Sequence, residues 1–158
     1  MRRKDREIND PHEILAIIAR CKVCRLALSD DGAPYIVPLN FGYTCESDTL
    51  RLYFHSAAGG RKLDILKRNN RACFEVDCDH GLIEADRACG YGFAFSSVIV
   101  SGTLEILETD EEKIRGLNAL MKHQTGGDTA FSYGEADLRS VTVLQMTAAG
   151  FTGKVKKF

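Results

Sequence analysis

The segment Leu52–Lys62, with the sequence LYFHSAAGGRK, says more about the fold than any other stretch of this chain. Hydrophobic and polar residues alternate from Leu50 to His55, which is typical of a half-buried strand. Small residues then form a turn, and a short amphipathic helix is predicted over residues 61–69. The segment therefore predicts a strand that leads through a tight turn into a helix.

The turn and the start of this helix carry the parts of an anion-binding site. The first N–H groups of a helix have no partner within it, and the helix dipole favours negative charge there. Gly59 and Gly60 allow close approach to the backbone, and Ser56 supplies a hydroxyl. Arg61 can donate two hydrogen bonds to a phosphate, and Lys62 adds a second positive charge. A capped surface helix with a glycine turn is the alternative, since no Walker or Rossmann spacing is present.

His55 is predicted to face the same site. Alternation puts its imidazole on the face of Arg51 and Tyr53, away from Leu52 and Phe54. A structural histidine within a strand is the alternative interpretation.

Two other predicted strands contain residues that a ligand could contact. Pro38, within the strand predicted over residues 33–43, cannot donate a hydrogen bond and so marks an edge, a bulge or a gap in pairing. Such a gap leaves backbone groups free for a ligand, although a plain edge strand explains the proline equally well. Hydroxyl side chains such as Ser97 interrupt the apolar strand predicted over residues 92–107. They could reach a ligand or line a solvent-exposed face.

The remaining pattern predicts helices at the periphery of an antiparallel sheet. One helix covers residues 10–20 and is capped by Asp10, and another begins near Thr109 with Glu112 at the capping-box position. The second helix has an apolar stripe of Ile114, Leu117, Leu120 and Met121. Further strands are predicted over residues 23–28, 50–55, 72–76 and 141–146. Because strands outnumber helices and do not alternate with them, the fold class is α+β with an antiparallel β-barrel core.

Composition limits the function. The 158 residues suit one domain, residues 1–158, and the 44% hydrophobic and 27% charged content is that of a globular protein. A net charge of −1 argues against nucleic acid or anionic membranes as partners. The charged N-terminus does not resemble an export signal, so the protein is expected to be cytoplasmic and to act on a small molecule.

The six cysteines are expected to be thiols rather than a disulfide framework. Cys21 and Cys24 form a single CxxC pair, and both are predicted to be buried. Three more cysteines and a histidine could in principle gather around a metal, but packing is the better interpretation because no standard spacing is present. These four residues are Cys73, Cys78, His80 and Cys89. His12 and His123, near helix ends, are predicted to face solvent.

The ordered segments VPLNFGY, LYFHSAAGGRKLDILKRN, FEVD, SSVIVSGTLEIL and FTGK resemble one known group of proteins. The chain is similar, over residues 1–154, to the flavin-binding split-barrel superfamily that contains pyridoxamine 5′-phosphate oxidase. Within it, the chain resembles the nitroimidazole-resistance branch. The resemblance implies a split β-barrel homodimer that binds FMN at each of two sites across the subunit interface.

The resemblance also implies which residues contact the cofactor. Arg61 and Lys62 would hold the FMN phosphate with Ser56 nearby, and the backbone of residues 37–40 would face the isoalloxazine ring. His55 and Tyr53 are the candidates for delivering a proton. The full set of implied cofactor-binding residues is Val37, Pro38, Leu39, Asn40, His55, Ser56, Gly60, Arg61, Lys62 and Ser97.

Two functions follow as alternatives. The first is an FMN-dependent oxidoreductase that reduces small, flat, electron-poor molecules, as nitroimidazole reductases do. The second is a non-catalytic module that holds flavin or haem, with His55 as a haem ligand. The pyridoxamine-phosphate substrate residues of the oxidase are not evident, so oxidation of vitamin B6 is not expected.

Overall fold

The computed structural model describes residues 3–127 and 131–157. The strands are β1 (Glu7–Ile8), β2 (Val23–Asp30), β3 (Ala33–Asn40), β4 (Gly42–Glu46), β5 (Thr49–Ser56), β6 (Arg71–Ile83), β7 (Gly92–Ile106) and β8 (Thr142–Lys156). The helices are α1 (Pro11–Arg20), α2 (Arg61–Arg68), α3 (Asp110–Thr125) and α4 (Glu135–Ser140), with short 3-10 turns at Lys4–Arg6 and Ala88–Gly90.

The strands form one antiparallel sheet that curls into a barrel. Their order is β3-β2-β6-β7-β8-β5-β4, and β1 pairs with β8. Strands β3 and β4 stand at opposite ends of this order, yet only Phe41 separates them along the chain. The sheet must therefore curl until its two ends meet, and the barrel is split where they do. This confirms the predicted α+β class and antiparallel split barrel.

The core fills the inside of this barrel. Inward residues alternate along each strand, as Leu26, Phe54, Phe74 and Val98 do, and each of these four is fully buried. The Phe74 ring meets the Phe41 ring edge to face, with centroids 4.9 Å apart. Because Phe41 occupies the junction of β3 and β4, its side chain closes the core at the split.

Helix α1, predicted over residues 10–20, packs against the barrel by one apolar stripe. Ile14, Ile17 and Ile18 are buried, and Asp10 caps the helix by accepting a hydrogen bond of 2.9 Å from the His12 N–H. The helix, its cap and its buried face were therefore predictable from local sequence alone.

Helix α3 covers the outer face of β4, β5 and the first part of β8 with only part of the predicted stripe. Of the four predicted residues Leu120 is buried, and the other three are half-buried. The buried residues are Gly116, Ala119, Leu120 and His123, because the helix approaches the sheet through glycines. A Cβ at Gly42 would lie 2.3 Å from the Leu120 Cα, so only glycine permits this approach. The predicted capping box of Thr109 and Glu112 is present.

Several strand ends differ from the prediction. The strand expected over residues 33–43 is two strands, because the chain changes partners at Phe41. Strands β6 and β8 extend well beyond the segments predicted for them, since continuous pairing with β7 supports their polar ends. Among the described residues, every helix is too short or too polar to cross a membrane.

Candidate functional site

The turn between β5 and α2 leaves an open space in front of the helix. Gly60 is the N-cap of α2 and has φ 124° and ψ 165°, a conformation that residues with a side chain rarely adopt. It provides no side-chain cap, and its carbonyl accepts hydrogen bonds from the N–H groups of Leu63 and Asp64. A Cβ added at Gly59 or Gly60 would meet no atom within 4 Å. A ligand could therefore approach the backbone at this end of α2.

Ser56, the last residue of β5, has a buried hydroxyl with no hydrogen-bond partner among the described residues. Its side chain lies on the same face of β5 as Phe54, and the residue is only 6% exposed. An unsatisfied buried hydroxyl costs about 1–3 kcal/mol. The free Oγ next to the turn thus fits a site in which a ligand supplies the missing hydrogen bond.

Arg61 ties the start of α2 to the hairpin between β2 and β3. Its Nε and Nη2 atoms each lie 3.0 Å from Asp30 Oδ2, and Arg68 forms a second ion pair with the same carboxylate. The Arg61 guanidinium also stacks over the Tyr35 ring at 4.8 Å from its centroid. Lys62 follows and is half-buried. Two cations therefore lie at the open end of α2, and one is held in place.

Asp30 and Tyr35 were not among the predicted site residues. The Asp30-Asp31-Gly32 sequence indicated a turn, which the structure has, but no local pattern shows that Asp30 pairs with Arg61. Such a pairing depends on how α2 docks on the barrel.

The predicted segment Val37-Pro38-Leu39-Asn40 forms the end of an edge strand. Val37 and Leu39 are half-buried against the core, whereas Pro38 is exposed on the outer face. Strand β3 has β2 as its only neighbour in the described sheet, so the edge predicted from Pro38 is confirmed. Because Gly42 pairs with Tyr53, the end of β3 lies beside the last residues of β5. The turn between β5 and α2 and the free edge of β3 therefore both lie next to the split in the barrel.

Tyr53 and His55 share a face of β5, as predicted, but that face is the one that α3 covers. Tyr53 is 1% exposed, and its Oη lies 3.4 Å from Thr44 Oγ1. Packing therefore separates Tyr53 from the open turn, and its candidate role as a proton donor stays a prediction. His55 lies beyond the part of β5 that α3 covers, and its side chain is exposed. It is on the face of β5 opposite to that of Ser56.

Ser97 does not join these residues within one chain. It lies on the outer face of β7, paired with Asp77 of β6 and Lys154 of β8. Charged groups lie next to it, since Asp77 forms an ion pair with Arg25 and also contacts the His80 ring. Two strands, β2 and β6, separate β7 from β3. The structure therefore brings the turn and the β3 edge together and leaves Ser97 apart.

Together, the fold and the site define a split-barrel protein with a candidate anion site at the split. Residues 10–155 match the family model described as pyridoxamine 5′-phosphate oxidase, and the chain belongs to this family.

Solved structures agree with this assignment. A candidate 5-nitroimidazole antibiotic resistance protein from Bacteroides thetaiotaomicron is 36% identical, with 94% of this chain and 86% of that chain covered and a TM-score of 0.81. The FAD and heme binding protein from Mycobacterium smegmatis shares the fold at 22% identity, with 97% and 74% covered and a TM-score of 0.85. A flavocytochrome from Azotobacter vinelandii does so at 21% identity, with 100% and 72% covered and a TM-score of 0.82. A search of curated proteins found no match.

Proposed function

We propose that this protein binds FMN between two copies of the chain and reduces small, flat, electron-poor molecules such as nitro compounds. The observation that carries the proposal is the buried, unpartnered hydroxyl of Ser56 beside the open end of α2. Membership of the family and 36% identity to the resistance protein support it. The family alone does not fix the reaction, because one fold serves several functions.

The residues of the turn suit a phosphate group. Ser56 Oγ can donate the hydrogen bond that it does not make within the chain, and the Gly60 turn admits an oxygen next to the helix backbone. Arg61 and Lys62 would balance the negative charge. Asp30 holds the Arg61 guanidinium in place, so less side-chain freedom is lost when a phosphate binds.

The free edge of β3 suits the polar rim of a flat ring. Residues 37–40 offer backbone groups at an edge that has no further strand, and Pro38 cannot use its nitrogen to recruit one. FMN, when bound, supplies the transfer of electrons. The chain would orient the ring, and His55, exposed at the end of β5, can donate a proton from its imidazole to the reduced substrate.

Two copies of the chain are required if Ser97 contacts the cofactor. Its position on β7 is separated from the β3 edge of its own chain by two strands. A second copy packed against the outer face of the sheet could instead bring its own Ser97 to the site. This supports a homodimer whose sites lie at the subunit interface.

The first experiment is a visible absorption spectrum of the purified protein, with mass spectrometry of the molecule that it releases. Flavin bands and released FMN are expected. A Soret band would instead favour the haem-binding module, and a colourless protein that FMN does not reconstitute would contradict both. If flavin is found, an assay with a nicotinamide electron donor and a nitro acceptor distinguishes an FMN-dependent oxidoreductase from a non-catalytic flavin-binding module. A catalyst is reduced and reoxidised through many cycles, whereas a binding module is not.

The phosphate assignment has a separate test. The double substitution Arg61→Ala and Lys62→Ala removes the two cations at the open end of α2. The affinity for FMN should then fall at least about tenfold. Fluorescence titration of free FMN measures the affinity. Lys67→Ala, a change at the other end of α2, is the matched control and should leave it unchanged. Equal affinities for the double variant and the wild type would mean that the phosphate lies elsewhere.

A further inference from the structure

The end of α1 meets β6 at two cysteine thiols. Cys21, the C-cap of α1, is 5% exposed, and its Sγ donates a hydrogen bond of 3.7 Å to the Asp77 carbonyl oxygen. The next residue along β6 is Cys78, whose side chain packs against the buried core cluster that includes Cys21. All six cysteines are free, and these two belong to the two elements that this hydrogen bond joins. No role in the anion site uses either of them.

The surroundings of the two thiols differ. Cys78 is half-buried, and the Arg20 guanidinium forms an ion pair of 2.8 Å with Asp79, the next residue along the chain. Arg20 and Asp79 line a surface cavity of about 330 Å³ between α1 and the ends of β7 and β8. A small oxidant that enters this cavity reaches Asp79, the residue that follows Cys78 in the chain. Burial raises the pKa of the Cys21 thiol to about 12, so Cys21 is not the sulfur that reacts first.

We propose that Cys21 and Cys78 form a reversible disulfide in the presence of hydrogen peroxide or an organic hydroperoxide, and that this bond fastens the end of α1 to β6. It does not depend on a bound flavin. Cys24 does not compete for Cys21, because its side chain is fully buried on the core face of β2. The CxxC spacing in the sequence thus has no redox role, and the partner of Cys21 lies 57 positions further along the chain.

The reaction proceeds in two balanced steps. The Cys78 thiolate attacks one oxygen of hydrogen peroxide, the O–O bond breaks, and the other oxygen leaves as hydroxide and becomes water on protonation. Cys78 is then a sulfenic acid. The Cys21 sulfur attacks the Cys78 sulfur, the S–O bond breaks, and a second water leaves as the S–S bond forms. The two thiols lose two electrons and two protons in total, and a dithiol reductant reverses the change.

The bond should stabilise the fold. It closes a long loop that spans β2, β3, β4, β5 and α2, and a cross-link of this kind restricts the unfolded chain. The melting temperature is expected to rise by about 5–10 °C on oxidation and to return on reduction.

The test treats the wild-type protein with hydrogen peroxide and maps its peptides by mass spectrometry before and after reduction. The expected product has lost the mass of two hydrogen atoms and contains a peptide that joins Cys21 to Cys78. In Cys21→Ala, dimedone should trap a sulfenic acid at Cys78, because the resolving thiol is gone. Cys73→Ala is the matched control, since Cys73 is also a half-buried thiol of β6; it should form the same bond as the wild type.

Other results would overturn the proposal. Recovery of Cys21 and Cys78 as alkylated thiols after oxidation would do so, and so would a bond between other cysteines. A bonded protein that melts at the temperature of the reduced one would show that α1 is not fastened. Peptide mapping of the wild type decides the question even if Cys21→Ala does not fold.

Discussion

The two halves of the barrel's outer surface differ in what covers them. On the half formed by β4, β5 and the first part of β8, helix α3 buries Tyr53, Val143 and Gln145 to 1%, 1% and 7% exposure. On the half formed by β2, β3, β6 and β7, outward apolar side chains stay exposed. Ile36 is 60% exposed and Ile99 is 47% exposed there. The half under α3 is therefore a second buried core, whereas the other half is exposed to solvent.

This contrast shows why the chain needs a partner if the proposed function is right. Outward apolar residues on an uncovered sheet lose contact with water only when another molecule packs on them. Charged residues lie among them, as in the row that joins Arg25, Glu75 and Ile99 across neighbouring strands. Mixed apolar and charged surfaces of this kind suit an interface between subunits better than a core. The following predictions test each half.

The largest effect is expected where α3 approaches the sheet most closely. In Gly42→Ala the new Cβ would lie 2.3 Å from the backbone of Leu120 and 2.4 Å from that of Ala119, and backbone cannot move aside as a side chain can. The free energy of unfolding should fall by about 3 kcal/mol or more. Urea denaturation measures it.

The matched control is Gly59→Ala, because nothing lies within 4 Å of a Cβ there. Its free energy of unfolding should stay within about 0.5 kcal/mol of the wild type. If both variants are equally stable, α3 does not seal the covered half in the way described.

The next effect concerns the uncovered half and the proposed dimer. Ile99→Lys places a charge in the middle of that surface, and the charge would have to be buried without a partner when two copies associate. Self-association should weaken at least about tenfold, while the fold itself is little changed. Sedimentation equilibrium measures the association.

Asn118→Lys supplies the comparison, because Asn118 is exposed on the outer side of α3. The same charge there should leave the association unchanged. A wild-type protein that sediments as a monomer at micromolar concentration would contradict the dimer itself.

A smaller effect is expected at the start of the covering helix. Thr109→Ala removes the hydroxyl that accepts a hydrogen bond from the Glu112 N–H, and the helix should lose about 1 kcal/mol of stability. Thr109→Ser keeps the hydroxyl and should behave as the wild type does in the same denaturation experiment. Equal losses in both variants would mean that the methyl group, rather than the cap, stabilises α3.

Features fixed by neighbouring residues could be predicted from the sequence. The caps at Asp10 and Thr109, the strand that ends at Ser56 and the glycine turn into α2 all depend on short-range contacts. The edge at Pro38 also follows from one residue, since proline lacks the N–H that a further strand would need.

The parts that failed depend on the pairing of distant segments. Around Tyr53, hydrophobic and polar residues alternate as they do in a half-exposed strand. The second face of this strand is buried only because α3, which begins more than fifty residues later in the chain, packs on it. The ion pair of Asp30 with Arg61 joins residues that no sequence pattern links. The face of α3 that packs against the sheet is determined by Gly42, which lies on the sheet and not on the helix.

His123 is the residue whose environment departs most from its prediction. Expected at the surface, it is 8% exposed, and its ring nitrogens lie 2.8 Å from the Phe41 carbonyl oxygen and 3.3 Å from that of Ala19. Its ring also packs against that of Phe41, with centroids 4.7 Å apart. The imidazole thus ties α3 to the residue that joins the two ends of the sheet.

Acid should weaken this contact. Burial lowers the pKa of His123 below its ordinary value of 6.5, the nearby Lys22 ammonium lowers it further, and the two carbonyl oxygens act in the opposite direction. As the pH falls through about 6.5, the unfolded chain takes up a proton at His123 and the folded chain does not. The free energy of unfolding therefore decreases on the acid side of 6.5, until the pH falls through the pKa of the folded protein.

The loss in the free energy of unfolding from this one proton is expected not to exceed about 1.4 kcal/mol between roughly pH 7.5 and pH 5.5. Denaturation at the two pH values should show a smaller loss for His123→Gln than for the wild type, because glutamine cannot take up the proton. His12→Gln, at an exposed histidine, should keep the full loss. If His123→Gln loses as much stability as the wild type, the acid-sensitive group lies outside the junction, and α3 covers its half of the barrel by packing alone.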